Sequence, residues 1–377
     1  MTVKIQEVKT GKELDEFVNF PFELRRSDAN WVPPIKKQEK ELLDSHPFWE
    51  TAKKSLYLAR DGDAITGRIC AIIDEKHNAY AGEKCGAFGF FECVDDQSVA
   101  SALFNRASGW LAENGMTFMR GPLNPSTNYT CGMLVDGFEY RPSLMMPWNP
   151  PYYPVLAENW RMRKERDLFA YHIEKEGMTI EPRLKEEIAR LKAENRFAYR
   201  VSGKKTLAAD IATMLAIYHE SWADNWGFSP LSPREADKVV AELSAILDPE
   251  FFVLFFCDGK PAAGMVAMPD MNPLLKRLNG KLGLTAPWHY LKSRKDIRKS
   301  YRIMLFGILP EYRLRGLPML LLDFMLEQTR SHPEIEWAEG SWALETNYAI
   351  DDLIEDFSGK IKKRYRIYRR EIAPCAN

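Results

Sequence analysis

The stretch that decides the fold is "GILPEYRLRGLPMLLLDFMLEQTR", residues 307–330. With the preceding "RIMLF" its first residues form an apolar run that reads as a buried strand. "PEYRLRG" follows as a loop, and "LPMLLLDFMLEQT" as a helix with Pro318 in its first turn, where a missing N–H costs least. A turn that opens a helix presents unpaired backbone N–H groups and the positive end of the helix dipole, which suits a phosphate or pyrophosphate. Arg313 and Arg315 add charge and forked donors at the same place. An isolated R-x-x-G is more often just a solvated loop, so the surrounding sequence has to decide.

Outward from this stretch the chain resembles itself. "NW" at Asn30 and Trp31 returns 195 residues later at Asn225 and Trp226. "DGDAITG" at 61–67 returns as "DGKPAAG" at 258–264, 197 residues on, and both copies lie between apolar runs. Each reads as a strand hairpin with a tight Asp-Gly turn. "NPPYYPVLAENWRMRKER" from Asn149 pairs with "NYAIDDLIEDFSGKIKKR" from Asn347 at a shift of 198. The common order and nearly constant shift identify an internal duplication. Register is lost only at two inserts, about 122–148 in the first copy and about 271–300 in the second.

Two domains follow, 1–178 and 179–377, as expected of a 377-residue chain. Near the junction, "EPRLKEEIARLKAENR" places Leu184, Ile188 and Leu191 on one helical face, an amphipathic connector. Each copy reads as a short strand, one or two helices, a hairpin, a strand, a long helix, a strand, a helix and a last strand. That order predicts an α/β (α+β) architecture in which each domain is a mostly antiparallel twisted sheet flanked by helices.

"ILPEYRLRGLPMLLLDFML" resembles the acyl-CoA-binding motif of the GCN5-related N-acetyltransferases, a strand ending in [Gln/Arg]-x-x-Gly-x-[Gly/Ala] followed by a helix. Arg313 takes the first position of the motif and Gly316 the fourth, while Pro318 replaces the small residue at the sixth and removes one donor. Through the duplication the resemblance extends to the first half, where "RGPLNPSTNYTCGMLVDGFE" and "MMPWNPPYY" look like a tandem bacterial family of acetyltransferase-like proteins. The resemblance implies an acyl-CoA co-substrate, acetyl-CoA or another, held by Ile308, Leu309, Arg313, Leu314, Arg315, Gly316, Leu317, Pro318, Met319 and Asn347. It implies an amine as acceptor, and a backbone N–H near Ile308 as donor to the thioester oxygen.

The first copy reads "FGFFECVDDQSVASALF" at the corresponding place. Glu92, Asp95 and Asp96 would satisfy the helix start from within the chain and repel a phosphate, so this half is expected to lack a coenzyme site. Acyl transfer needs a base for the attacking ammonium and an acid for the departing thiolate. The base candidates are Glu339 and Glu345. The superfamily's acid is a tyrosine about seven residues into the helix that begins at Asn347, where this chain has Ile354, and Tyr348 is the nearest alternative on that helix. His219 reads as a structural residue on a helix. His289 and the basic run Lys292, Arg294, Lys295, Arg298 and Lys299 belong to the second insert, and the run reads as a solvated helix face or as a contact for phosphate or an acidic acceptor.

Composition narrows the alternatives. Lys and Arg total 52 against 53 Asp and Glu, so nothing global recommends a nucleic acid or an acidic membrane as partner, which leaves only local patches. That near-neutrality weighs against a relative of the peptidoglycan-bridge aminoacyltransferases, which, like the N-myristoyltransferases, use two such modules. A non-catalytic binding protein is the remaining alternative, suggested by Ile354 and Pro318. No apolar stretch approaches the roughly 20 residues of a membrane span and no signal peptide is present, so a cytoplasmic protein is expected. The six cysteines are scattered without C-x-x-C and read as reduced thiols, with no metal site. "SGKKT" at 202–206 fails the phosphate-loop pattern, because its leading glycine falls on Ala198.

Overall fold

The structure is a computed structural model and describes residues 3–194 and 196–372. The chain opens with β1 (Lys4–Glu7), α1 (Gly11–Leu24), α2 (Lys36–Asp44), β2 (Ala52–Asp61), β3 (Ala64–Asp74) and α3 (Glu75–Ala81). It continues with β4 (Cys85–Cys93), α4 (Gln97–Glu113), β5 (Phe118–Gly121), β6 (Leu123–Asn124), β7 (Thr130–Cys131), β8 (Met133–Asp136), α5 (Tyr152–Asn159) and β9 (Arg163–Glu174). Next come α6 (Pro182–Ala193), β10 (Phe197–Val201), α7 (Leu207–Trp222), α8 (Pro233–Ile246), β11 (Phe252–Cys257) and β12 (Lys260–Pro269). The rest is α9 (Asn272–Leu278), α10 (Ala286–Ile297), β13 (Ser300–Ile308), α11 (Leu317–Ser331), β14 (Trp337–Leu344), α12 (Tyr348–Asp356) and β15 (Lys360–Glu371). The predicted repeat is visible in this order: hairpin β2–β3 returns as β11–β12, β4-α4-β5 as β13-α11-β14, and α5-β9 as α12-β15.

Two compact units result, and they do not follow the 1–178 and 179–377 division. The first comprises the chain up to Leu168 together with Leu275–Ala286 and the residues from Lys363 onward; the second comprises Phe169–Leu274 and Pro287–Lys362. The reason is strand pairing, which ignores proximity along the chain. β15 lies antiparallel to β5, with Tyr368 opposite Gly121 and Glu371 opposite Phe118, so the last strand belongs with the first unit.

In the first unit the strand order is β1-β2-β3-β4-β5-β15, antiparallel except for β4–β5, which α4 joins as a parallel crossover. Helix α4 buries Val99, Leu103, Phe104, Ala107 and Leu111, a stripe at helical spacing, and Phe104 stacks on Phe91 at 4.6 Å. Asp167, 1% exposed, accepts from Arg366 Nε at 2.8 Å and Nη2 at 3.1 Å, tying β9 to β15. The five described cysteines are buried free thiols, and Cys375 lies outside the described residues.

In the second unit the order from the β9 edge is β9-β14-β13-β12-β11-β10. The pairs β10–β11, β11–β12 and β12–β13 are antiparallel and β13–β14 is parallel, with α11 as the crossover. The hairpin turn carries positive φ at Asp258 (50°) and Gly259 (78°), which an Asp-Gly pair tolerates best. Helix α11 buries Leu317, Leu320, Leu321, Phe324 and Met325, and the connector α6 adds Ile188 and Leu191 to the same core. The expected α/β architecture, with mostly antiparallel sheets flanked by helices, is therefore present in both units.

Candidate active site

The site begins where two strands part. β13 and β14 pair in parallel only from Ser300 opposite Trp337 to Ile303 opposite Gly340. Beyond that point β13 stays with β12, through Phe306 opposite Met265 and Ile308 opposite Ala263, while β14 leaves β13 and runs on toward Leu344. Met304 is the extra residue of a bulge between the Val266 and Ala267 pairings, where such a bulge bends a strand. The parting strands leave a cleft whose β13 side leads directly into the 309–316 loop.

In that loop Gly316 has φ +83° and caps α11, and a Cβ there would also collide with the Leu191 side chain, so the position excludes other residues on two counts. The N–H groups of Gly316 and Leu317 find no acceptor among the described residues, and no side chain caps the helix. Pro318 in the first helical turn offers no N–H, whereas Met319 N–H donates to Gly316 O at 3.1 Å. Leu309 N–H is taken by Ala262 O at 2.9 Å. Arg315 and Leu314 are exposed, the Arg315 guanidinium lying 5.5 Å from the Tyr312 ring centre. Arg313 is used otherwise: Nη2 donates to Ser221 O at 2.6 Å and Nε to Ile308 O at 3.4 Å. Its charge thus sits at the C-terminal end of α7, where orphan carbonyls and the helix dipole favour a cation.

Trp222, in the last turn of α7, donates Nε1–H to Phe306 O at 3.2 Å and meets Trp342 of β14 edge to face at 5.8 Å. Glu339 is 1% exposed and accepts from Ser341 Oγ at 2.8 Å. Arg302 donates to Ser341 Oγ at 2.9 Å and to Ser341 O at 3.0 Å, so the carboxylate lies in a buried, charge-compensated cluster beside the parting point. Glu345 is half-buried just past the end of β14. Asn347 caps α12 through its backbone alone, its C=O accepting from Ile350 N–H at 2.9 Å and Asp351 N–H at 3.1 Å. Tyr348 is 70% exposed, a poor setting for an acid in a closed cleft.

Where a tyrosine was expected, Ile354 packs its Cδ1 3.4 Å from the position a Cβ would occupy on Gly340. On the same side Tyr171 of β9 is buried, with Asp351 of α12 beside it. Burial pushes both the Tyr171 hydroxyl and the Asp351 carboxyl up, with the acidic neighbours Glu355 and Asp352 adding to the rise. Sequence reasoning missed Trp222, Trp342, Arg302 and Tyr171, which come from four different elements. Ser341 was within reach, since it stands two residues from Glu339 on one strand and so shares its face.

The first unit uses the equivalent place differently. After Ala87 and Arg120 part, β6 fills the gap: Phe90 N–H donates to Asn124 Oδ1 at 2.6 Å. Asp96 caps α4 by accepting from Ser98 N–H at 2.7 Å and Val99 N–H at 3.3 Å. Glu92 is held by Arg25 Nη2 at 2.9 Å and by the Tyr153 hydroxyl at 2.7 Å.

No family model matches the chain. The bacterial ceramide synthase of Caulobacter vibrioides (strain NA1000 / CB15N) is 30% identical over 373 residues, covering 97% of this chain and 96% of that one. The chain belongs to the bacterial ceramide synthase family. Protein YghO of Escherichia coli (strain K12) is 28% identical over 371 residues, covering 96% of this chain and 93% of its own. Among solved structures, the tandem GNAT protein from the clavulanic acid biosynthesis pathway matches with TM-score 0.59 at 10% identity, covering 99% of this chain and 100% of that one. A GCN5-related N-acetyltransferase from Sphaerobacter thermophilus matches at 0.52, again at 10% identity, covering 100% and 97%. These likenesses give this member of the ceramide synthase family a tandem GCN5-related N-acetyltransferase fold. Among the described residues no group of three or more His, Cys, Asp or Glu could hold a metal ion, and no helix is long and apolar enough to cross a membrane.

Proposed function

We propose that the chain is an acyl-CoA-dependent N-acyltransferase whose second unit holds the coenzyme. The observation that carries the reading is the cleft between β13 and β14, which opens onto a helix start with free N–H groups at Gly316 and Leu317. In this reading the pyrophosphate lies against those N–H groups with Arg315 beside it, and Arg313 shapes the loop from behind. The thioester lies along β13 between the parting strands. The name of the Caulobacter relative supports a long-chain amino alcohol as the amine and a fatty acyl group as the cargo.

The amine nitrogen attacks the thioester carbonyl, forming the C–N bond. Its proton passes to Glu339 through Ser341 Oγ, which Arg302 holds in place. The C–S bond breaks and the thiolate takes its proton from solvent, since Ile354 offers none. Calorimetric titration with CoA, acetyl-CoA and a long-chain acyl-CoA tests the binding half. Mass-spectrometric detection of an amide from the long-chain acyl-CoA and a long-chain amino alcohol tests the transfer. Saturable binding of CoA with no amide product would leave a coenzyme-binding protein and overturn the enzymatic reading.

A further inference from the structure

Helix α10 carries its apolar residues on the wrong side for a soluble surface. Of the fourteen large hydrophobic side chains exposed among the described residues, five fall between 282 and 291: Leu282 (66%), Leu284 (103%), Trp288 (56%), Tyr290 (47%) and Leu291 (59%). The residues α10 buries are Ser293 and Ile297. At about 100° per residue, Trp288, Leu291 and Lys295 fall within about 60° of one another, opposite that buried edge.

The charges around this crest have one sign. Residues 281–299 hold six cationic side chains and a single carboxylate, Asp296, in a chain whose net charge is -1. Two of the six are occupied, Arg298 by Glu334 at 3.7 Å and Lys299 by Glu336 at 2.9 Å. Lys281, Arg294 and Lys295 have no carboxylate partner among the described residues, and the Lys292 ammonium lies 3.4 Å over the Trp288 ring.

We propose that residues 287–299 dock the protein on an anionic phospholipid surface, with α10 lying in the interface plane. Trp288 and Leu291 enter the headgroup boundary, where an indole is favoured, while Lys292, Arg294 and Lys295 meet lipid phosphates. A second copy of the chain is a poor occupant, because pairing two such faces would bring six uncompensated cations together. A bound coenzyme phosphate would engage the cations but leave the tryptophan and leucines in water. This inference stands apart from the acyl-transfer reading, since nothing in it requires a coenzyme.

The test is co-sedimentation of the full chain with vesicles of phosphatidylcholine alone and of phosphatidylcholine with phosphatidylglycerol. The protein is expected to pellet with the mixed vesicles at least tenfold more strongly than with the neutral ones, and less so as salt is raised. Trp288→Glu with Leu291→Glu should abolish pelleting, and Lys292→Glu with Lys295→Glu should reduce it at least tenfold. Circular dichroism and CoA titration of each variant establish that the fold is retained. Equal pelleting of wild type and both double variants, or no pelleting with the anionic vesicles, would overturn the proposal. So would a dimer in sedimentation velocity that dissociates in the Trp288→Glu, Leu291→Glu variant.

Discussion

Trp222 and Trp342 stand edge to face with ring centres 5.8 Å apart, and Trp222 also reaches the opposite strand through its bond to Phe306 O. One indole therefore touches both arms of the parted strand pair. Trp222→Ala should reduce stability by about 2–3 kcal/mol, below the usual range for a fully buried tryptophan because this one is half-buried. It should also weaken CoA binding, by loosening the cleft. Trp222→Phe keeps the ring contact and loses only the N–H, so its effect in denaturant unfolding should be about 1 kcal/mol. Equal losses in the two variants would mean that the bond, rather than the ring, sets the cleft.

The two loop arginines should separate by experiment. Arg315→Ala is expected to weaken CoA binding by about 1.5–3 kcal/mol in calorimetry with at most about 0.5–1 kcal/mol change in unfolding, because the side chain is exposed and its contact in the fold is the Tyr312 ring. Arg313→Ala should instead destabilise the protein by about 1–3 kcal/mol, since Ser221 O and Ile308 O lose their donor. A reversed pattern would place Arg313 on the pyrophosphate.

Gly316→Ala meets both obstacles described above, the left-handed backbone and the Leu191 side chain. A loss of about 1–3 kcal/mol is expected by denaturant unfolding. Adding Leu191→Ala should return less than the whole loss relative to Leu191→Ala alone, because only the collision is relieved and the backbone strain remains. Full additivity of the two changes would show that they do not touch.

Asp167 supplies a pH signature. The guanidinium of Arg366 and the ammonium of Lys164 overcome the effect of burial and hold its carboxyl below the usual 3.8. A carboxyl with a depressed folded-state pKa stabilises the fold fully above its unfolded value, and that contribution is lost as pH falls through the folded one. Asp167→Asn should therefore be less stable than wild type by about 3 kcal/mol at pH 7, with the gap narrowing below about pH 4. A gap that stays constant from pH 7 to pH 3 would assign the loss to packing.

Local signals were legible and long-range ones were not. The Asp-Gly turns at Gly62 and Gly259 and the crossover helices α4 and α11 stand where the repeat put them, because turn chemistry and helical periodicity are properties of short windows. Asp96 as a cap could likewise be read from its place before α4. The partnership of β15 with β5 could not, since either copy of the last strand satisfies the same apolar pattern. The use of Arg313 against Ser221 was equally hidden, because nothing in "PEYRLRG" reveals that the end of α7 lies next to it. Ile354 shows the intermediate case: its departure from the motif was visible, but its contact with Gly340 was not.

The placement of β15 bears on how the protein is made. A ribosome finishes residues 1–168 long before it reaches Lys363, yet the edge of β5 that faces away from β4 has no partner at Gly121 and Phe118 until Tyr368 and Glu371 arrive. The earlier-synthesised part of the first unit therefore waits for a later one, with Asp167 lacking Arg366 throughout the delay. Birth order and folding order run opposite ways in the first unit, and its nascent sheet keeps an open edge for most of translation, the period in which a chaperone would find it.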